Sequence, residues 1–385
     1  MQDAQSPQLG GEPGRLGAPV GVGDAHEHEQ AGFVDGADDL TLHHNGRGAD
    51  PLYDRTHGPE FCHVLGLRRL PVMSEMVVEV VRSGFVESVH RARVHVIGAD
   101  GAPVLVCGDT SSLASPRSAV KPLQALAMVR AGLPLEDELL ALAAASHSGE
   151  PFHIDGVRKI LAGAGLDETS LRCPEDLPLD EEERRRVLRE HGDARRILMN
   201  CSGKHAAMLA TCAVNGWPVD DYRHPGHPLQ RAIRATVEEL TGERVAATGV
   251  DGCGAPLFFV SMAGVTRAFR ALTLAPAGTP ERRVADAMRA HPEWTSGTTR
   301  AENLLMRAVP GLLVKSGAEA FDAFADAEGR AGTVKIVDGG GRARVPVTVA
   351  ALRAAGIDAP ELAGLATAPL FGGGVPVGEV RVRPA

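Results

Sequence analysis

The 385-residue chain lacks long apolar runs, basic clusters and abundant cysteine, and each shortage excludes a class of protein. No window approaches 18 consecutive apolar residues, so no membrane-spanning helix is expected. The opening MQDAQSPQLGGEPGRLGAPV has neither the basic start nor the apolar stretch of a signal peptide. Lysine and arginine are nowhere concentrated and the net charge is −9, which argues against nucleic acid as the main partner. Six cysteines (Cys62, Cys107, Cys173, Cys201, Cys212 and Cys253) are too few and too scattered for a disulfide framework in a chain of this length. The expectation is a soluble, reduced, cytoplasmic protein.

The charge that is present is uneven. Residues 1–72 hold 11 acidic and 5 basic side chains, and the remaining 313 hold 38 and 35. About a quarter of residues 1–72 are Gly or Pro, and neither helical nor strand periodicity persists there. The histidines of DAHEHEQ and LHHNGR are irregularly spaced with no cysteine among them, a poor metal tract. The chain therefore divides into 1–72, a disordered or mis-called extension, and 73–385, a folded domain. Met73 and Met76 stand just before the first strand-like run and are candidate natural starts.

From Met76 the pattern turns structured. MVVEVVRSG, RARVHVIGAD and APVLVCGD are β-branched runs split by glycine-containing turns, and ADGAP suits a hairpin. Helical periodicity follows in KPLQALAMVRAGL, DELLALAAAS, FHIDGVRKILAGAG, EEERRRVLREHG, GKHAAMLATCAVNG, HPLQRAIRATVEELTG and APLFFVSMAGVTRAFRALT. GTVKIVDGG, ARVPVTVAAL and VPVGEVRVRP return to strand character, the second able to turn helical. Strands at both ends around a helical middle predict an α+β fold, with the terminal strands paired in one antiparallel sheet and the helices packed on it.

Four stretches carry chemistry. In SPRSAVKPLQAL, Ser118 and Lys121 are three apart where a helix opens, so amine and hydroxyl share a face, and Pro122 suits a first turn. A lysine with its solution pKa near ~10.4 is a poor base, and bringing it to about 7 takes roughly 4–5 kcal/mol of desolvation or nearby positive charge. Arg117 is one candidate for that charge. Ser118 could equally be a helix cap. ALAAASHSGE ends a small-residue helix in a hydroxyl and imidazole cluster, either a solvent-facing cap or a second serine, Ser146, facing the same pocket. LVKSGAEA places Lys315 at a strand end, with a glycine that would let substrate approach the backbone. In this order S-x-x-K, a loop serine and K-S-G resemble the three elements of serine β-lactamases and penicillin-binding proteins. MNCSGKHAAML and GVDGCGAP supply Cys201, Lys204, His205 and Cys253, which could hold zinc, with His205 the more ordinary third ligand than lysine. A redox-sensitive pair or two apolar buried thiols are the alternatives.

Together SGFVESVH, RSAVKPLQAL, ASHSGE, NCSGKHAAML, YRHPGHPLQ, GVDGCGAP and LLVKSGAEA resemble the asparaginase II family, the thermolabile amidohydrolases of rhizobial kind. The resemblance implies a serine β-lactamase-like and glutaminase-like fold. It implies hydrolysis of L-asparagine to L-aspartate and ammonia by two Ser–Lys pairs, Ser118 with Lys121 and Ser146 with Lys315, Ser148 being the weaker choice. It also implies zinc on Cys201, Lys204 and Cys253, which displaces His205 to the surroundings of metal and substrate. Asp251 would then receive the substrate's α-ammonium and Arg117 its α-carboxylate, and a homodimer is expected. A glutaminase or other amidohydrolase shares this machinery. A catalytically dead zinc-binding module is the rival of a different class.

Overall fold

The computed structural model describes residues 74–384 except 191. The stretch 1–72 and Cys62 within it lie outside the described residues. Among the described residues the chain opens with β1 (Met76–Arg82), β2 (Phe85–Ile97), β3 (Pro103–Cys107) and the short β4 (Leu113–Ala114). The helical middle holds α1 (Lys121–Arg130), α2 (Asp137–Ala143), α3 (Pro151–Gly163), α4 (Glu181–Glu190), α5 (Ser202–Asn215) and α6 (Pro228–Thr241). Then come β5 (Ala247–Val250), β6 (Pro256–Ser261), α7 (Met262–Leu274), α8 (Pro280–Ala290), α9 (Pro292–Thr295) and α10 (Ala301–Ala308). The chain closes with β7 (Leu313–Gly317), β8 (Phe321–Ala325), β9 (Ala331–Ile336), α11 (Arg344–Ala354), β10 (Thr367–Gly372) and β11 (Val375–Val382).

The fold is α+β. Its main sheet runs β10-β11-β1-β2-β9-β8-β7, with β3 paired to the far half of β2, and every neighbouring pair is antiparallel. The first and last strands are neighbours, with Val78 opposite Val382 and Val80 opposite Val380. Period-two alternation in β2 sends Val94 and Val96 to one face and His95 and Ile97 to the other. On the first face they join α11 in a core with Val347 and Leu352; on the second α7 packs against β8 and β9. α11 is the segment ARVPVTVAAL: its β-branched residues suit a strand in isolation, but it is a helix laid on the sheet. The segment APLFFVSMAGV likewise divides, giving β6 before Ser261 caps α7 by accepting from the Gly264 N–H. β8 and β10 had no counterpart in the sequence reading.

Two helices are buried nearly all round. Nine of the ten residues of α1 are buried, and so is every residue of α5 from Ser202 to Cys212. α5 is the central helix, touching α1, α2, α3 and α6, which is why GKHAAMLATC is made of small and apolar residues. No helix among the described residues is long and apolar enough to cross a membrane.

Candidate active site

The site lies where the N-terminal ends of α1 and α5 meet the strap after α2 and the strand β7. Lys121 is the first residue of α1. A cation there opposes the helix dipole, so stability alone gives no reason for it. Lys121, Lys204 and Lys315 are 1%, 1% and 0% exposed, so three of the chain's five lysines are inside.

Ser146 sits on an extended strap pinned from two sides. Its N–H donates to the Thr295 carbonyl (3.2 Å), that of His147 to Asn200 (3.0 Å) and that of Ser148 to Ser296 (2.7 Å). Both lysines of the expected catalytic pairs reach this one hydroxyl. Lys121 Nζ lies 2.8 Å and Lys315 Nζ 3.1 Å from Ser146 Oγ. Lys121 also donates to the Ala145 carbonyl (2.6 Å) and Cys201 Sγ (3.0 Å), so the three protons of its ammonium have three acceptors. Lys315 also donates to the Ser316 carbonyl at 2.7 Å. Burial, reinforced by the charge of Lys121, pushes Lys315 down to about 7. At neutral pH Lys315 is therefore divided between amine and ammonium, and its neutral form can accept a proton from Ser146.

The expected Ser118–Lys121 contact is not made. Ser118 lies in the single turn Arg117–Val120 ahead of α1, half-buried, while Lys121 directs its donors to Ala145, Ser146 and Cys201. The spacing does place the two residues side by side along the chain, but Lys121 points into the core, where Ser146 waits. Ser148 is turned away and donates to Ser296 O at 3.0 Å. Gly317 has a different use from substrate approach. A Cβ there would stand 2.2 Å from the Pro116 carbonyl oxygen, so the glycine lets the Ser118 turn pack on β7.

Arg117 and Asp251 come together as an ion pair, Nε to Oδ1 2.6 Å, each partly buried. Arg117 holds a left-handed φ of +48°, a strained conformation for a side chain of this size. The pair closes the site between the Ser118 turn and the loop after β5.

The two cysteine motifs also converge. Lys204 Nζ lies 3.0 Å from Cys253 Sγ, and Cys201 Sγ, which donates to Asn200 Oδ1 at 3.0 Å, is close enough to Cys253 for the two thiols to shift each other's titration. The neighbouring Cys201 thiol, with the charge of Lys204, holds the Cys253 thiol well below its ordinary range. Burial opposes the charge on Lys204, but Cys253, Cys201 and Asp251 outweigh it and raise its pKa. His205 Nδ1 meets the Tyr222 hydroxyl at 2.6 Å, while its buried Nε2 faces Cys253 without a hydrogen-bond partner. Among the described residues no three His, Cys, Asp or Glu side chains gather as a metal-binding group, and here the third donor is a lysine. Two soft sulfurs, an amine and an orphaned imidazole nitrogen form a donor set that fits zinc. Cys107, Cys173 and Cys212 are buried free thiols. Cys173 is close enough to the cluster to feel the charges of Cys253 and Lys204, a proximity its sequence surroundings did not reveal.

Several residues near Lys315 had no sequence signal. Glu302 in the first turn of α10 reads as an ordinary helix-start acid, and Arg300 and Arg344, at the starts of α10 and α11, belong to no motif, yet all three lie behind Lys315 and Ser316.

The family model described as L-asparaginase II matches residues 78–382. No curated protein matches the chain. Among solved structures, EstCE1, a hydrolase with promiscuous acyltransferase activity, is 15% identical over 72% of this chain and 92% of its own, with a TM-score of 0.33. A Bacillus glutaminase is 13% identical over 64% of this chain and 85% of its own, with a TM-score of 0.29.

Proposed function

The chain belongs to the L-asparaginase II family, and from that premise we propose that it is an amidohydrolase converting L-asparagine to L-aspartate and ammonia, with Ser146 as nucleophile. The observation that carries this reading is the pair of buried amines on one serine oxygen, 2.8 and 3.1 Å away. Lys315, poised near neutrality, takes the Ser146 proton as Oγ attacks the side-chain amide carbon. Lys121 remains the hydrogen-bond donor that fixes the oxygen. The proton held on Lys315 passes to the leaving nitrogen, ammonia departs, and water attacks the acyl-serine with Lys315 again as base. The Ser146 N–H is engaged by Thr295, so the developing oxyanion has to be met by donors elsewhere, such as the turn before α1. Arg117 and Asp251 are the charge pair suited to the α-carboxylate and α-ammonium of the amino-acid substrate. Cys201, Lys204 and Cys253 are the residues that would hold zinc, with His205 beside them. The metal would supply substrate orientation, because two thiolates leave it a weak Lewis acid.

A glutaminase remains the second reading, since one methylene is worth only about 1–3 kcal/mol of discrimination. A cytoplasmic homodimer belongs to the same proposal, and the mass of the native complex tests it. Ammonia release from asparagine and from glutamine by the wild type and by Ser146→Ala is the deciding experiment. Loss of at least about 1,000-fold in Ser146→Ala is expected. Unaltered turnover in Ser146→Ala would remove Ser146 as the nucleophile, and a wild type that releases ammonia from neither amide would return the protein to the class of zinc-containing binding modules.

A further inference from the structure

Behind Lys315 lies a carboxylate that the reaction above does not use. Glu302 in the first turn of α10 is 0% exposed, and its carboxylate oxygens have no hydrogen-bond partner within 3.5 Å, the Ser316 side chain approaching them only weakly. A carboxylate shut away in this manner persists only against positive charge. Three cations face it: Arg300, Arg344 and Lys315. Arg300 Nη2 stands 3.7 Å from Oε1, while Arg344 is engaged by Asp322 at 2.7 Å and by the Ser316 hydroxyl. Lys315 in turn is faced by Lys121 from α1, by Cys201 from the start of α5, and by Glu302 and Arg300 from the start of α10. Its hydrogen bonds go to Ser146 and Ser316, and to none of the candidate metal ligands.

The chain connects these groups directly. Thr295 and Ser296 receive the N–H groups of Ser146 and Ser148, Thr298 is held by Glu150 through two hydrogen bonds of 2.9 Å, and α10 begins three residues later. One segment thus fixes the backbone of the nucleophile and carries Glu302 to the back of its partner amine. We propose that Glu302, balanced by Arg300, is a positioning residue for Lys315, the counter-charge that sets the fraction of this amine free to take the Ser146 proton. The proposal rests on the reading of Lys315 as the base of Ser146. Glu302 favours the protonated amine and Arg300 disfavours it, so the two make opposite predictions.

Two measurements on the full chain test this. One is the pH midpoint of the rising limb of kcat/KM for asparagine. The other is the titration of the Lys315 ε-carbon by NMR of ¹³C-lysine protein, tractable with five lysines and assigned with Lys315→Met. Glu302→Gln is expected to lower both midpoints by roughly one unit, Arg300→Gln to raise them, and Glu302→Asp to stay near the wild type. A folded Glu302→Gln with unmoved midpoints, or both glutamine variants moving in one direction, overturns the proposal. If Glu302→Gln does not fold, Arg300→Gln decides, an upward shift supporting the proposal and no shift overturning it. If the wild type releases no ammonia but the NMR midpoints separate as stated, the Glu302 proposal stands and the amidohydrolase reading falls. An active wild type with static midpoints gives the reverse.

Discussion

At the scale of single residues, the site is a competition between two amines for one oxygen. Lys315 is the member whose charge changes near neutrality, because burial and Lys121 lower it to about 7 from an ordinary 10.5. The base must be deprotonated to act, so kcat/KM should rise with pH to a midpoint near 7 and then level. A pH–rate profile falling through that range would rule out Lys315 as base. The same depression has a sign for stability. Between about 7 and 10.5 the unfolded chain holds a proton that the folded chain has released, so this group's contribution to stability rises with pH across that window and is lost as pH falls to 7. Ser118→Ala should cost roughly 100-fold or less in kcat, a supporting donor's share, because Ser118 lacks the paired amines of Ser146. Equal losses in Ser118→Ala and Ser146→Ala would mean that the ranking of the two serines is wrong. The sequence pointed to both serines and both lysines; local spacing put Ser118 with Lys121, whereas the family resemblance put Ser146 with Lys315, a contact the structure makes at 3.1 Å. The true partner of Lys121 is 25 residues away, and only the folded α1 and the strap after α2 make them neighbours.

Among elements, legibility followed the kind of signal available. β1 and β11 were readable because β-branched alternation bounded by glycine has few other interpretations. α11 was obscured because valine and threonine carry strand propensity, and burial on the sheet overrode it. Glu302 was invisible because an acid in a first helical turn is the commonest of helix signals. The close approach of β7 to the Ser118 turn makes its own prediction. Gly317→Ala puts a methyl 2.2 Å from the Pro116 oxygen, against backbone that cannot swing aside. It should lower stability by about 1–3 kcal/mol in denaturant melts and depress turnover by shifting the turn. A variant as stable and active as the wild type would show that the two segments are free to separate.

Over the whole molecule, the sheet is closed by its first and last strands. A chain beginning at Met73 retains β1 whole, and should match the full chain in melting temperature and ammonia release. A chain ending before Val375 loses the strand that pairs with both β1 and β10, and should fail to fold. Stable protein without β11 would contradict the closure. The candidate metal donors Cys201, Lys204 and Cys253 join the start of α5 to the loop after β5. Chelated protein that stays folded should retain turnover with a raised KM for asparagine, and abolition of kcat would assign the metal a part in the chemistry itself.

The pinning of the Ser146 strap by Thr295, Asn200 and Ser296 has a consequence for how the molecule reaches its working state. Helices such as α1 and α5 organise from nearby sequence, whereas Ser146 is seated between its two amines only after stretches nearly 200 positions apart, from Lys121 to Lys315, have docked around it. During renaturation, the far-ultraviolet signal of these helices therefore recovers ahead of ammonia release, and the interval between the two times the last docking event.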